Sequence, residues 1–335
     1  MKRDKVVLSI ILPCFNVEKF VGKVYQSIIL QNVRSWEAIF VDDGSNDHTF
    51  EKLEKIKKRD ERVKIIKQEN AGSGPARNKG VELAVGKYLY FMDPDDEFLG
   101  ENSLKILLGA AESNNAEIVI SGYKEFDLVN KKEKKFGPNS FLTTKTNDEV
   151  KRNYFFIVEN NIFNPPWNKL FLKEFWNENK LEFPAVKKGQ DALLNLVAFK
   201  FLNRLTMIPN YIYAYYIGRE GSAQTMLSDN DLEYFRINQQ YEKELLEHWD
   251  IKNEHYFIEK KISFYFADSV KVYRYIKSRS EGIKEFVELW NSRKAKKEIE
   301  NITLLDIKMK EKSLIKLFSM KHPFLNYCIQ KQISK

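Results

Sequence analysis

The sequence predicts an α/β fold, with a mostly parallel, Rossmann-like sheet flanked by helices and a helical extension at the C-terminus. Four strand-then-helix units follow one another before residue 100, and right-handed crossovers between such units place their strands in parallel. The predicted strands are short and mostly apolar, as expected for strands that are buried on both faces. Each strand ends in polar residues, and sheets of this kind bind their ligands at the carboxyl ends of the strands.

The chain of 335 residues is long for one hydrophobic core, so we expect one large domain and a smaller one. The net charge of +8 is uneven, because the segment from residue 251 onward has 19 Lys and Arg against 10 Asp and Glu. A basic segment of this kind is typical of a solvated surface, or of a surface that contacts an anionic membrane or nucleic acid. The acidic clusters described below lie outside it.

No apolar run reaches the roughly 18 residues that a membrane-spanning helix needs. The apolar N-terminal run lacks a small-residue cleavage site and is interpreted as a first strand, not as a signal peptide. Cys14 and Cys328 lie far apart and lack the spacing of metal ligands, which favours a reducing cytosol. We therefore expect a cytoplasmic protein, or one bound peripherally at the inner face of the plasma membrane.

The first predicted strand, Val6 to Leu12, ends in a turn that Pro13 shapes and that exposes Phe15 at the edge of the sheet. The helix that follows has Glu18 in its first turn, where the helix dipole favours a carboxylate. Asn16 and Glu18 provide the first polar side chains at this edge.

The second predicted strand ends in Asp42 and Asp43, and the third opens into the glycine loop Asn70 to Gly74. Glycine at these positions lets a ligand approach the backbone closely. Arg77 follows in the next helix and is well placed to meet a phosphate. Its alternative role is an ordinary surface ion pair.

The fourth predicted strand, Tyr88 to Met92, runs directly into Asp93, Asp95 and Asp96. Three adjacent carboxylates repel one another unless they share a cation, so a divalent ion that carries an anionic substrate is the expected occupant. The alternative is a solvated acidic turn, since Pro and Asp are common turn residues. The presence of similar clusters after the other strands favours a binding site.

Four segments in this order resemble the successive motifs of the inverting family 2 glycosyltransferases of the bacterial surface-polysaccharide type, which have the GT-A fold. They are SIILPCFN (Ser9 to Asn16), VDDGSNDHT (Val41 to Thr49), NAGSGPARNKG (Asn70 to Gly80) and FMDPDDEF (Phe91 to Phe98). WNKLF (Trp167 to Phe171), GQD (Gly189 to Asp191) and the stretch from Tyr213 to Ser222 resemble acceptor-side motifs of that family. The resemblance implies a catalytic domain in residues 1–225, which leaves residues 226–335 as a helical, basic region for acceptor, oligomer or membrane contacts.

The resemblance implies a nucleotide-sugar donor and a divalent cation, Mn²⁺ or Mg²⁺, that neutralises the diphosphate. Asp95 is then the main metal ligand, and Asp93 reaches the ribose or the metal. Asp96 is assigned to the surroundings of the metal or to the sugar, with a helix-capping or turn role as its alternative.

The implied donor-binding residues are Pro13, Phe15, Glu18, Asp42, Asp43, Arg77 and Asp93. Phe15 stacks on the base in this interpretation, and Asp43 accepts a hydrogen bond from a ring N–H such as that of uracil. Alternatives remain open for three of them: core packing for Phe15, loop capping for Asp42 and a purely dipole-favoured position for Glu18.

Asp191 is the candidate general base that takes the proton of the acceptor hydroxyl. Its alternative role is to cap the helix that follows. The family usually has Glu-Asp where this chain has Gln190 and Asp191, so an acceptor contact by Gln190 is in doubt. Trp167 is assigned to stack on a sugar, and Arg219 and Ser222 are assigned to close over the diphosphate.

These assignments imply a metal-dependent, inverting transferase that moves a sugar, from a UDP-sugar by expectation, to a hydroxyl of a glycan or lipid-linked acceptor in cell-surface polysaccharide synthesis. The alternative is a non-catalytic, nucleotide-sugar-binding subunit of a polysaccharide assembly complex, which only Gln190 favours. No nucleic-acid partner is expected, whereas a homo-oligomer and a peripheral membrane contact through the basic C-terminus are compatible with the pattern. A nicotinamide-dependent enzyme is excluded because no glycine lies between Pro13 and Glu18.

Overall fold

The computed structural model describes residues 6–159, 161–219 and 230–252, together with residues 257, 260 and 288. The chain folds into two compact units, Met1–Ser222 and Ala223–Lys335. Within the second unit, the main described element is the helix Asn230–His248. No helix among the described residues is long and apolar enough to cross a membrane.

The first unit alternates strands and helices along most of its length. The strands are β1 (Leu8–Cys14), β2 (Trp36–Asp42), β3 (Val63–Lys67), β4 (Tyr88–Phe91), β5 (Glu97–Phe98), β6 (Ile118–Asp127), β7 (Lys132–Phe136), β8 (Leu142–Thr143), β9 (Lys169–Leu172) and β10 (Leu205–Ile217). The helices are α1 (Val21–Ile29), α2 (Thr49–Lys57), α3 (Ser73–Leu83), α4 (Ser103–Asn114), α5 (Asn147–Glu159), α6 (Lys173–Glu178) and α7 (Gln190–Phe201), and α8 (Asn230–His248) belongs to the second unit.

The ten strands form one mixed sheet in the order β3-β2-β1-β4-β9-β6-β10-β5, with β7 beside β6 and β8 beside β10. β1 pairs in parallel with both β2 and β4, and β6 pairs in parallel with β10. β9 is antiparallel to both β4 and β6, so β4 and β6 run in the same direction. The carboxyl ends of β1, β2, β3, β4, β6 and β10 therefore lie along one edge of the sheet, hereafter the carboxyl edge.

The centre of the sheet is apolar because β1, β2 and β4 are buried along their whole length. β1 extends two residues beyond its predicted end, so Pro13 lies inside the strand opposite Val41 and not in the turn. The pairing of β1 with β4 ends at Ile11, opposite Phe91. Pro13 lies beyond this pairing, so its lack of a backbone N–H removes no hydrogen bond between the two strands. The prediction that Pro13 shapes the turn is therefore wrong, and the turn begins after Cys14.

The first helix begins later in the chain than predicted. α1 begins at Val21, so Glu18 lies in the preceding turn and not in the first turn of the helix. The Glu18 Oε2 atom instead accepts a hydrogen bond from the His48 backbone N–H at 3.3 Å, at the N-terminus of α2. The carboxylate thus interacts with a different helix from the one that its sequence position predicts.

Candidate active site

The acidic segment after β4 lies at the carboxyl edge, and two arginines neutralise it. The Arg77 guanidinium donates to Asp93 Oδ1 at 2.8 Å, and only 7% of the Arg77 side chain is exposed. Arg219 forms an ion pair with Asp95 and donates to Asp96 Oδ1 at 3.2 Å. The cationic partners of the three carboxylates therefore come from α3 and from the segment after β10.

Asp96 is buried and serves to join the turn after β4 to β10. Its Oδ2 accepts from the Tyr213 hydroxyl at 3.0 Å, and its Oδ1 accepts from the Tyr216 backbone N–H at 3.0 Å. Burial raises the pKa of Asp96 well above its usual range, and the neighbouring Asp93 carboxylate raises it further. With 1% of its side chain exposed, Asp96 does not face a sugar or a metal ion. The predicted sugar-facing role is therefore wrong, whereas a place in the surroundings of the metal stays a prediction.

Asp95 is the most exposed carboxylate of the three, with 37% of its side chain accessible. The described residues contain no group of three or more His, Cys, Asp or Glu that could enclose a metal ion. Mg²⁺ and similar ions, however, commonly bind to proteins through one or two carboxylates together with substrate phosphates. Asp95 and Asp93, with 37% and 27% of their side chains exposed, have the donor chemistry for a site of that kind, and their role as metal ligands stays a prediction.

The glycine loop between β3 and α3 is held in place by Asp43, which is 3% exposed. Asp43 Oδ1 accepts from the Ala71 N–H at 2.9 Å, and its Oδ2 accepts from the Gly72 N–H at 2.8 Å. Gly72 has φ of 95°, a conformation that only glycine adopts readily, and it precedes the first residue of α3. Asp43 thus fixes the start of the helix that carries Arg77. Its contact with the nucleotide base of the donor stays a prediction.

Asp42 is fully buried at the end of β2 and caps the following loop through a bond from the Ser45 N–H to its Oδ1 at 3.2 Å. This is the capping role foreseen as its alternative. Within the described part of the chain, the second oxygen of Asp42 has no hydrogen-bond partner. Phe15, in contrast, is 45% exposed, so it is not a core residue and its ring remains available for stacking.

Asp191 is the second residue of α7, and Gly189, with φ of 75°, occupies the capping position before the helix. Asp191 is therefore not the N-cap residue. Burial raises the pKa of Asp191, and hydrogen bonds from the backbone N–H groups of Asp191 and Ala192 lower it, so a capping interaction stays open as its alternative. The Arg77 cation also lowers the pKa, and the Asp93 carboxylate raises it. Asp191 thus lies within the electrostatic field of the Arg77–Asp93 pair at the carboxyl edge.

Gln190 points towards the glycine loop, where its Nε2 donates to Ser73 Oγ at 2.5 Å. Its side chain also packs closely on Gly74, since a Cβ atom added to that glycine would lie 3.2 Å from Gln190 Cγ. The residue is 8% exposed. The structure therefore corrects the predicted acceptor contact: Gln190 joins the N-termini of α7 and α3.

Trp167 is 5% exposed, and its ring stacks on Tyr213 with centroids 4.5 Å apart and an interplanar angle of 10°. It also stacks on Tyr215 at 5.0 Å. A ring buried in this way offers no face to a sugar, so the predicted stacking platform is wrong. Ser222 lies outside the described residues.

Lys169 was missed by the sequence reasoning, although it lies inside the WNKLF motif. It is fully buried, and its ammonium donates to the carbonyl oxygens of Ile162 at 2.9 Å, Phe163 at 2.8 Å and Pro165 at 2.5 Å. Burial lowers the pKa of Lys169 well below its usual range, and the Asp191 charge raises it. The only available signal was a lysine at the first position of an otherwise apolar strand.

Residues 9–178 match the sequence model of the family described as Glycosyl transferase family 2. The uncharacterized glycosyltransferase EpsJ of Bacillus subtilis (strain 168) is 30% identical over 213 residues, or 62% of this chain and 60% of EpsJ. The chain thus spans less than two thirds of that relative.

Two solved structures have a similar fold. Staphylococcus aureus TarS 1-349 in complex with UDP-GlcNAc has a TM-score of 0.57 at 20% identity, over 85% of this chain and 91% of that one. The mannosyltransferase PcManGT from Pyrobaculum calidifontis, in complex with GDP-Man and Mn²⁺, has a TM-score of 0.55 at 12% identity, over 99% and 89%. The predicted GT-A fold is confirmed. With its family match covering half of its length, this chain belongs to glycosyl transferase family 2.

Proposed function

We propose that the protein is a metal-dependent, inverting glycosyltransferase that acts in cell-surface polysaccharide synthesis. It moves a sugar from a nucleotide-diphosphate donor, a UDP-sugar in this proposal, to a hydroxyl of a glycan or lipid-linked acceptor. The observation that carries the proposal is the position of Asp191, a carboxyl group of raised pKa in the field of the Arg77–Asp93 pair. Gln190, the residue before Asp191, bonds to Ser73 at the start of the helix that carries Arg77. The candidate base and a candidate phosphate-binding cation therefore belong to one site, as glycosyl transfer from a diphosphate requires.

The protein binds the donor through its charged diphosphate and through its nucleotide base. Among the residues that the structure describes, Arg77 and Arg219 are guanidinium groups at the carboxyl edge that can pair with diphosphate oxygens. Mn²⁺ or Mg²⁺ held by Asp95, with Asp93 beside it, would neutralise the negative charge that develops on the leaving diphosphate. Phe15 stacks on the base at the end of β1, and Asp43 fixes the neighbouring loop.

The transfer step uses Asp191 as the base. The acceptor hydroxyl oxygen forms a bond to the anomeric carbon as the bond to the diphosphate oxygen breaks, and the electron pair leaves with the diphosphate. Asp191 takes the hydroxyl proton, and attack from the face opposite the leaving group inverts the configuration. A pKa raised by burial makes Asp191 a stronger base than an exposed aspartate.

The assignment of residues 1–225 to catalysis and of residues 226–335 to acceptor, oligomer or membrane contacts is part of this proposal. So are a cytoplasmic location, a peripheral contact with the inner face of the plasma membrane and a homo-oligomer. The non-catalytic alternative loses its support, because the bond from Gln190 to Ser73 gives Gln190 a packing role that is compatible with catalysis.

The test is a panel of UDP-sugars incubated with the full chain and Mn²⁺, with UDP release measured with and without candidate glycan acceptors. We expect one donor to be consumed, with release that falls to background when EDTA removes the metal. Proton NMR of the product should show an anomeric configuration opposite to that of the donor. If no nucleotide-sugar is bound or consumed, the proposal is wrong.

A further inference from the structure

The turn between β6 and β7 presents two aliphatic side chains to solvent at the carboxyl edge. Leu128 is 50% exposed and Val129 is 70% exposed. Together with the next three residues they form the hairpin tip, residues 128–132. Since β6 runs in the same direction as β4, the hairpin tip lies at the edge of the sheet that carries the candidate active site.

The hairpin tip is a formed turn. Asp127 Oδ1 accepts from the backbone N–H groups of Val129 at 3.0 Å and Asn130 at 2.9 Å, and Asp127 Oδ2 accepts from the Asn130 side chain at 2.7 Å. Because the turn is already ordered, binding through its two aliphatic side chains would cost no further backbone entropy.

The charged residues of the hairpin tip are Lys131 and Lys132, and the Asp127 carboxylate at its base, opposite Lys132 in the ladder, is bonded to the turn. Further along β7, Glu133 pairs with Lys124 at 2.9 Å and Lys134 pairs with Glu125 at 3.4 Å. Lys131 and Lys132 are exposed and form no ion pair with any residue that the structure describes. Two exposed aliphatic groups beside two available ammonium groups match the boundary between headgroups and acyl chains of an anionic bilayer.

The hairpin tip also touches the segment that carries Arg219. The Leu128 N–H donates to the Ile217 carbonyl at 3.1 Å, so the turn is bonded to the end of β10. At Gly218 an added Cβ atom would lie 2.8 Å from Val129 Cγ2, so the two segments are in close contact. A surface that binds the hairpin tip would therefore lie next to the arginine that pairs with Asp95.

We propose that the hairpin tip docks on an anionic phospholipid surface, with Leu128 and Val129 inserted at the headgroup boundary and Lys131 and Lys132 on lipid phosphates. A protein partner fits less well, because two aliphatic residues provide far less than the roughly 800 Å² per partner of a stable interface. Docking would bring the active-site edge towards the membrane, where a lipid-linked acceptor resides. That consequence, unlike the docking itself, rests on the proposed function.

The experiment is flotation of the full-length chain with vesicles of phosphatidylglycerol and phosphatidylcholine, compared with vesicles of phosphatidylcholine alone. We expect Lys131→Gln with Lys132→Gln to weaken binding to the anionic vesicles about thirtyfold, at about one kcal/mol per lysine. Leu128→Asn with Val129→Asn should weaken it roughly tenfold, because the inserted aliphatic groups are lost.

Two matched controls lie in the first unit but away from the carboxyl edge. Lys57 and Lys58 are adjacent exposed lysines at the C-terminal end of α2. Leu83 and Val85 are exposed aliphatic residues, 42% and 59% accessible, at the end of α3 and before the start of β4. Lys57→Gln with Lys58→Gln, and Leu83→Asn with Val85→Asn, should bind vesicles as the wild type does. All these positions are exposed, so thermal unfolding should be unchanged in every variant.

Equal vesicle binding by wild type and both hairpin variants would overturn the proposal, as would an equal loss in the controls or equal binding to uncharged vesicles. Flotation requires no donor and no turnover. A failure here is therefore distinct from a failure of the proposed transferase activity.

Discussion

The guanidinium of Arg219 forms an ion pair with Asp95, the residue that we propose as the main metal ligand. It also lies over two aromatic rings, with its Cζ atom 5.3 Å from the centroid of Phe20 and 5.2 Å from that of Tyr216. This arginine offsets charge of the acidic segment, and in the proposed reaction it would pair with the diphosphate of the donor. The acidic cluster was predictable from the sequence, but this partner was not, because 124 residues separate Arg219 from Asp95.

We predict that Arg219→Gln binds Mn²⁺ about tenfold more tightly than the wild type when no donor is present, because Asp95 loses its competing cation. The same variant should bind UDP several-fold more weakly, because one phosphate-pairing group is gone. Free Mn²⁺ is measured by electron paramagnetic resonance, and UDP affinity by calorimetry.

Arg62 is the matched control, since it pairs with Asp60 through two bonds of 2.8 and 3.0 Å away from the acidic segment. Arg62→Gln should leave both affinities unchanged. Unchanged or weaker Mn²⁺ binding by Arg219→Gln would contradict the competition between Arg219 and the metal.

At the scale of elements, the segment between α5 and β9 positions α7. Its carbonyl groups at Phe163 and Asn164 accept from the Asn195 side chain, one turn after Asp191, at 2.7 and 2.9 Å. Lys169 binds the same segment from the other end. The existence of α7 was predictable from its apolar run. The segment that holds it was not, because lysine is rarely fully buried and Lys169 therefore gave no sign of an internal role.

We predict that Lys169→Met lowers the free energy of unfolding by about 3 kcal/mol or more, because several buried carbonyl groups lose their donor at once. Urea unfolding followed by tryptophan fluorescence measures this loss. Lys173→Met is the matched control: Lys173 is partly exposed and donates to the single carbonyl of Ala84, so a loss of about 1 kcal/mol is expected. Equal losses in the two variants would show that Lys169 does not hold the segment.

At the scale of the whole molecule, the strand order explains why residues far apart in sequence meet. Four strands and their polar ends were predictable from residues 6–100, because each unit is local and its crossover has one favoured hand. The insertion of β9 between β4 and β6 was not predictable, since antiparallel pairing over that distance leaves no local pattern. This insertion lets β6 and β10 run parallel to β4, which brings the hairpin tip and Arg219 to the carboxyl edge.

The central claim is that Asp191 is the base of a glycosyl transfer at this edge. The most direct test compares the turnover of Asp191→Asn with that of Asp148→Asn, using the UDP-sugar that the wild type consumes. Asp148 is the matched control, because Asp148 and Asp191 are each the second residue of a helix, α5 and α7 respectively. Unlike Asp191, Asp148 is exposed. We predict that Asp191→Asn lowers kcat at least about 100-fold while donor affinity stays within a few-fold, and that Asp148→Asn is fully active. Wild-type turnover by Asp191→Asn would contradict the claim.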